Sequence, residues 1–299
     1  MHKDKFPSFS IVLPVFKGED FIVRAIESLI AQDYPKLELL FIDGGSPDDT
    51  VRLAENYREH FAYFVSEPDK GQTDALNKGF ALACGDIFGW LCHDDTLEPG
   101  ALHDVARLFQ ENPDASLITG ASRRVYDDGF EQVMVPRPDV LERVGFQNGI
   151  EQPATFWKAD FHRRAGELDE SFNHAMDWDW WCRLRRAGAH AVVTEKIYAN
   201  YYFPINSKTS SNPDSNLAET YRIVKNYGPY DGLLADAYSH IYENFDLKGC
   251  FDPKAKVDRK TRQSYTTTMD ALKRIFGEEY INSYNWQWIA KQKRGKIWR

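Results

Sequence analysis

The sequence predicts an α/β fold: a mostly parallel sheet flanked by helices, followed by a helical C-terminal region. Three observations carry this expectation. Apolar runs of strand length alternate with helical periodicities up to about Thr119. Those strands are almost continuously apolar, as strands covered on both faces must be. Repeated strand–helix–strand units build parallel sheets through crossover helices. No strand pattern survives beyond Pro213.

The elements follow in order. Phe9-Ser10-Ile11-Val12-Leu13-Pro14-Val15 reads as a buried strand. The next segment places Phe21, Ile22, Ala25, Ile26, Leu29 and Ile30 on one helical face, and Asp33-Tyr34-Pro35 stops it. A second strand, Leu37 to Asp43, ends in Gly44-Gly45. Ser46-Pro47-Asp48-Asp49 has the composition of a helix start, with a capping serine and proline at the first helical position. A strand over 61–67, a helix over 72–83 and a strand over 86–92 complete the first half. Shorter strands (115–119, 152–158, 191–194) and helices (159–165, 177–187) follow, and then helices over 217–226, 232–245 and 266–292. The boundary between an α/β domain (1–210) and a helical region (211–299) is placed at 207–213.

Bulk properties narrow the function. With 299 residues, 42% hydrophobic and 27% charged, the chain is globular, not disordered. A formal charge of −8 argues against nucleic-acid binding, which rewards basic surfaces, yet leaves room for a nucleotide held through a metal ion. The four cysteines form no CxxC pair, so neither a zinc site nor a disulfide framework is expected, and a reducing cytoplasm is the expected compartment. The first apolar run is too short and interrupted for a signal peptide, and no run of apolar residues is long enough to span a bilayer. Aromatics at 14% suit the apolar faces of sugars and an aromatic core equally.

In open α/β sheets ligands bind beyond the carboxyl ends of the strands. Four consecutive strand ends converge on one rim, which carries Asp43, then Asp69 and Asp74, then Asp94 and Asp95. A single acidic turn is ordinary. Several on one rim repel one another unless a cation sits among them, and Mg2+ or Mn2+ bound by one or two carboxylates and substrate phosphates fits that requirement. Neither a GxGxxG after the first strand nor a GxxxxGK[ST] is present, which weighs against a dinucleotide dehydrogenase and a P-loop enzyme.

The segments IVLPVFKGEDFIVRAIESLIAQDYP, LELLFIDGGSPDDT, SEPDKGQTDALNKGFALACGDIFGWLCHDD, EQPATFWK and HAMDWDWWCRL, in that order, resemble family-2 inverting glycosyltransferases with the Rossmann-like GT-A fold. The resemblance implies that Pro14 and Val15 lie against the nucleoside with Glu19 nearby, and that Asp43 binds the base. It further implies that Lys70, Gly71 and Asp74 cradle the nucleotide. His93-Asp94-Asp95 matches the family's metal motif, with Cys92 at the position where an acid or asparagine is usual. One of Asp94 and Asp95 is expected to bind the metal directly and the other the donor ribose or a bound water. Asp177 aligns with the catalytic base, Met176 replacing the acid that often precedes it. Asp179, Trp178, Trp181, Gln152 and Thr155 are the acceptor-side candidates. Residues two apart on a helix do not share a face, so only one of Asp177 and Asp179 can point at the acceptor.

Further departures are Tyr202 and Pro204, where relatives carry arginine and histidine, so that Lys208, or no residue, takes the histidine's place. A Gln-x-x-Arg-Trp motif is missing, favouring single addition over polymerisation. The implied partners are a nucleotide-sugar donor, with UDP the carrier favoured by family frequency, and a saccharide or lipid-linked saccharide acceptor. Residues 286–299 combine Trp286, Trp288 and Trp298 with five basic residues and no acid, a composition suited to an anionic membrane surface and equally to a frayed terminus. Two alternatives stay open: a sugar-nucleotide nucleotidyltransferase, and a degenerate non-catalytic nucleotide-sugar-binding module.

Overall fold

A computed structural model of the chain describes residues 6–203, 213–251 and 255–284. It divides into two compact units, Met1–Leu141 with Gly149–Ile205, and Glu142–Asn148 with Asn206–Arg299.

The first unit alternates as the sequence demands: β1 (Phe9–Val15), α1 (Ile22–Ile30), β2 (Leu37–Asp43), α2 (Thr50–Ala54), β3 (Phe61–Ser66), α3 (Gln72–Leu82) and β4 (Ile87–Trp90). There follow β5 (Thr96–Leu97), α4 (Ala101–Glu111), β6 (Leu117–Tyr126), β7 (Glu131–Met134), α5 (Val140–Arg143), β8 (Thr155–Lys158), α6 (Ala159–Ala165), α7 (Met176–Arg186) and β9 (Ala191–Phe203). The strands form one sheet in the order β3-β2-β1-β4-β8-β6-β9-β5, with β7 on the side of β6. β3, β2, β1 and β4 are mutually parallel. β8 runs antiparallel to β4 and β6, and β9 is parallel to β6.

Every residue of β1 is buried, which explains its unbroken apolar run. Ile22, Ile26 and Leu29 of α1 enter the same core as Ile11, Leu13 and Phe41. On α3, Gly79 permits close packing, since a Cβ there would stand 2.4 Å from Val12 Cγ1. The register pairs Val15 with Asp43 and Asp43 with Ser66. Three strand tips therefore lie side by side, about 4.8 Å apart, as neighbouring strands are.

Four elements differ from the sequence expectation. α2 begins at Thr50, because the Ser46 hydroxyl is committed to Asp43 and Asp48 instead accepts from the Thr50 amide. β6 and β9 run well beyond 115–119 and 191–194, the far part of β6 being only half-buried. In the second unit, the helix expected over 266–292 is two helices as far as Tyr284, α10 (Arg259–Phe276) and α11 (Glu278–Tyr284), broken at Gly277, whose φ of +99° favours glycine; 285–292 lie outside the described residues.

That second unit also holds α8 (Pro213–Tyr227) and α9 (Leu233–Ile241), the latter continued by a π turn over Tyr242–Asp246. Its core includes Ile223, Leu234, Tyr238, Ile281 and Tyr284. The Tyr284 hydroxyl donates to buried Asp246 at 2.9 Å. No helix among the described residues is long and apolar enough to cross a membrane. Pro204, Lys208 and the basic tryptophan-rich tail lie outside the described residues.

Candidate active site

The loops after β1 and β2 are fastened together. The Lys17 amide donates to Ser46 Oγ and the Gly18 amide to Thr50 Oγ1, both at 2.8 Å. Glu19 Oε2 accepts from the Asp49 amide at 3.1 Å, so this carboxylate holds the entry to α2. Pro14 and Val15 form the buried end of β1. Gly18 lies under the His93 ring, where a Cβ would approach Cδ2 to 2.9 Å.

Asp43 is placed differently from the expectation of a base-binding acid. It is buried, and its Oδ2 accepts from the Gly45 and Ser46 amides at 3.0 Å and from the Ser66 hydroxyl at 2.7 Å. Oδ1 accepts from the Ser46 hydroxyl at 2.5 Å. The carboxylate thus ties the tip of β2 to that of β3. Beside it, Asp69 covers Gly44: a Cβ at position 44 would lie 2.6 Å from Asp69 Oδ2. Sequence reading placed Asp69 on the rim without assigning it a role, and the small residue at Gly44 was the available signal.

The turn into α3 is built by acids accepting from its amides. Asp69 Oδ1 accepts from Gly71 at 2.8 Å, and Asp74 Oδ2 from Lys70 at 3.1 Å. The Lys70 amide, then the Lys78 ammonium at 3.4 Å, hold the Asp74 carboxyl below its ordinary range. Gly71 has φ of +122° and nothing within 4 Å of where a Cβ would stand, so its backbone fronts open space. α3 also fixes the loop that leads to α7. Asn77 exchanges two hydrogen bonds with the backbone of Leu168 (3.0 and 2.9 Å), Thr73 donates to the Phe172 carbonyl (3.2 Å), and Lys70 pairs with Glu170 (3.2 Å).

Beyond β4, Cys92, Asp94 and Asp95 bring one ligand atom each within 4.8 Å of one another. Asp95 is fully buried. Its Oδ1 accepts from the Tyr202 amide at 2.9 Å, whereas its Oδ2 has no hydrogen-bond partner among the described residues. Burial, then the neighbouring Asp94 charge, push this carboxyl well above the usual range. An orphaned buried oxygen among acids is what a divalent cation would satisfy, so the donor set fits the metal that the motif implies. Arg24, which the sequence reading missed, braces this turn: Nη2 donates to the Asp94 carbonyl at 2.6 Å, and the guanidinium lies 3.8 Å from the Tyr202 ring centroid and 4.7 Å from that of Phe21.

Asp177 is half-buried in the first turn of α7. Trp181 lies one turn on, and residues four apart share a helix face. Trp181 stacks on Trp90 at the tip of β4, with centroids 5.9 Å apart and planes 4° from parallel. Asp177 therefore projects from the α7 face that meets the tip of β4, two residues before Cys92. Tyr201 feels both groups: burial first, then the charges of Asp95, Cys92 and Asp177, raise its phenol far above the ordinary range.

The remaining acceptor-side candidates are not arranged as expected. Asp179 is buried and pairs with Arg183 at 2.9 Å. Trp178 and Trp181 are core residues, filling α7's inner face. Thr155 is buried against the Thr119 hydroxyl at 2.8 Å. Gln152 is half-buried, and it donates to the Trp90 carbonyl at 2.8 Å while accepting weakly from Cys92 Sγ at 3.9 Å. Behind these, His162 packs against Phe80 and Trp180, and burial, then nearby Arg183 and Arg163, push its imidazole down to about 4.

Comparison with known proteins bears on this arrangement. The family model described as glycosyl transferase family 2 matches residues 10–174. An uncharacterized glycosyltransferase of Rickettsia typhi is 24% identical over 221 residues, covering 71% of this chain and 67% of its own. This chain spans 65% of the R. prowazekii counterpart and 35% of the R. conorii one. Among solved structures, Staphylococcus aureus TarS 1-349 in complex with UDP-GlcNAc superposes with a TM-score of 0.63 at 16% identity, covering 95% of this chain and 91% of that one. The mannosyltransferase PcManGT from Pyrobaculum calidifontis, in complex with GDP-Man and Mn2+, gives 0.58 at 16% identity, covering 96% and 88%. The strand order, the acidic strand tips and the family match over more than half the chain agree: this chain belongs to glycosyl transferase family 2 and has the GT-A fold.

Proposed function

We propose that the chain transfers a sugar, with inversion, from a nucleoside-diphosphate sugar to a saccharide hydroxyl. The observation that carries this reading is the pairing of two acid sets: Asp94 and Asp95 beyond β4, and Asp177 on the α7 face fastened to that strand by the Trp181–Trp90 stack. Asp177 takes the proton of the acceptor hydroxyl as its oxygen attacks the anomeric carbon and the bond to the diphosphate breaks. What a divalent cation held by Asp94 and Asp95 supplies, when bound, is compensation of the charge on the leaving diphosphate.

The open backbone at Gly71 lets the donor approach closely, and the exposed Lys70 stands at the same turn. Asp69 over Gly44 is the acid offered to the nucleobase, with Asp43 holding the tip in shape beneath it. UDP is the first carrier to examine, since the TarS neighbour holds UDP-GlcNAc; GDP is the comparison, since PcManGT holds GDP-Man. The expected compartment is the cytoplasmic side of the membrane, where nucleotide sugars are made.

Incubating the protein with UDP- and GDP-sugars and Mn2+, with and without chelator, tests the reading by release of nucleoside diphosphate. The Asp177→Asn variant is expected to keep nucleotide affinity while turnover falls by about 10^2 to 10^4, the range typical of a lost general base. Near-normal turnover by this variant refutes the assignment of the base.

A further inference from the structure

We propose that Cys92 is itself a metal ligand, its thiolate completing a one-sulfur, two-carboxylate site that favours Co2+ and Zn2+ over Mg2+. The inference rests on the reading of Asp94 and Asp95 as cation-binding and says which ion their site prefers.

Two independent observations lead to it. The first is position: Cys92 Sγ belongs to the same group of ligand atoms as the two carboxylates, all within 4.8 Å of one another. Ligands about 2.0–2.3 Å from one tetrahedral ion stand roughly 3.3–3.8 Å apart, so the group needs a closure of about 1 Å, within the reach of side-chain rotation. The second is the orphaned Oδ2 of Asp95, in a residue with 0% exposure, for which no donor exists among the described residues. A buried carboxylate oxygen without a donor is costly unless a cation completes it.

The surroundings of the sulfur suit a ligand. Gln72 Nε2 donates to Cys92 Sγ at 3.2 Å, the kind of bond that orients a coordinating thiolate. Gln152, held on the Trp90 carbonyl, lies on its other side. Mg2+ demands hard oxygen ligands and sheds water reluctantly, whereas a thiolate is soft and selects later transition metals. Coordination releases the thiol proton to solvent, one per ion bound.

The test uses full-length, metal-stripped protein titrated with Co2+, binding being followed by equilibrium dialysis and coordination by the near-ultraviolet sulfur-to-cobalt charge-transfer band. Wild type is expected to show the band in proportion to bound Co2+. Cys92→Ser is expected to lack the band, and its preference for Co2+ over Mg2+ should fall about tenfold or more. Bound Co2+ without the band, or an equal band in the variant, overturns the thiolate ligand and leaves the carboxylate reading standing. No Co2+ bound to wild type overturns both. A second arm needs no variant: Zn2+ should slow alkylation of Cys92, with exposed Cys84 at the opposite end of the sheet as the internal reference. Equal alkylation of Cys92 with and without Zn2+ overturns the proposal.

Discussion

Replacing Asp43 separates two roles that the sequence could not distinguish. Its carboxylate receives four hydrogen bonds, two from the Gly45 and Ser46 amides and two from serine hydroxyls. The hydroxyls can turn to water, whereas the two amides are fixed by the turn and lose their charged acceptor in an alanine variant. Hydrogen bonds to a charged acceptor contribute about 1.5–3 kcal/mol each, so Asp43→Ala should cost about 3–6 kcal/mol of stability. For a protein of this size that lowers the melting midpoint by about 10 °C. Asp43→Asn keeps one acceptor oxygen but loses the charge, and neutral bonds are roughly half as strong, so it should cost about half as much. Urea unfolding gives the stabilities, and calorimetric titration with UDP gives nucleotide affinity on whatever folded protein remains. An Asp43→Ala protein with unchanged stability and a tenfold or greater loss of affinity would refute the reasoning, because it would place the carboxylate on the ligand.

Two further predictions follow from neighbouring features. Asn77→Ala strips both partners from the Leu168 backbone, so turnover should fall several-fold while nucleotide affinity stays within about twofold; equal losses in kcat and affinity would contradict a role confined to the loop before Asp177. His162 sits at about 4 when folded against 6.5 unfolded, so between these values the unfolded chain binds more protons and stability falls as pH is lowered. The whole interval is worth about 3 kcal/mol, present above pH 6.5 and lost by pH 4, and His162→Phe should remove that part of the slope in urea unfolding; parallel curves for the two proteins would count against it.

The sequence was legible where burial was complete. β1 and β2 carry the bounds their apolar runs suggested. The far halves of β6 and β9 were not, because residues such as Arg123 and Arg124 pair there across long sequence separations and show no alternation a reader would trust. Asp94 and Asp95 stood out as acids at a strand end, and Asp177 through the family resemblance. The direction in which Asp43 faces did not, since the donors that capture it are two backbone amides and a serine on another strand. Neither did the burial of Thr155, Trp178, Trp181 and Asp179, because helical and strand periodicity leaves open which face meets the core. Arg24 had no local signal at all: its partners, Asp94 and Tyr202, are brought to it only by the folded sheet.

α3 does two jobs from one rigid rod. Its N-terminal turn presents Gly71 to open space, and its side chains Thr73 and Asn77 grip the segment running to Asp177. Gly79 seats the same rod against β1 with no slack. Any tilt of this helix must carry the turn at Gly71 and the approach to Asp177 together. The spacing between these two segments is thereby tied to one element, as the jaws of a vice keep their gap when the whole tool is turned.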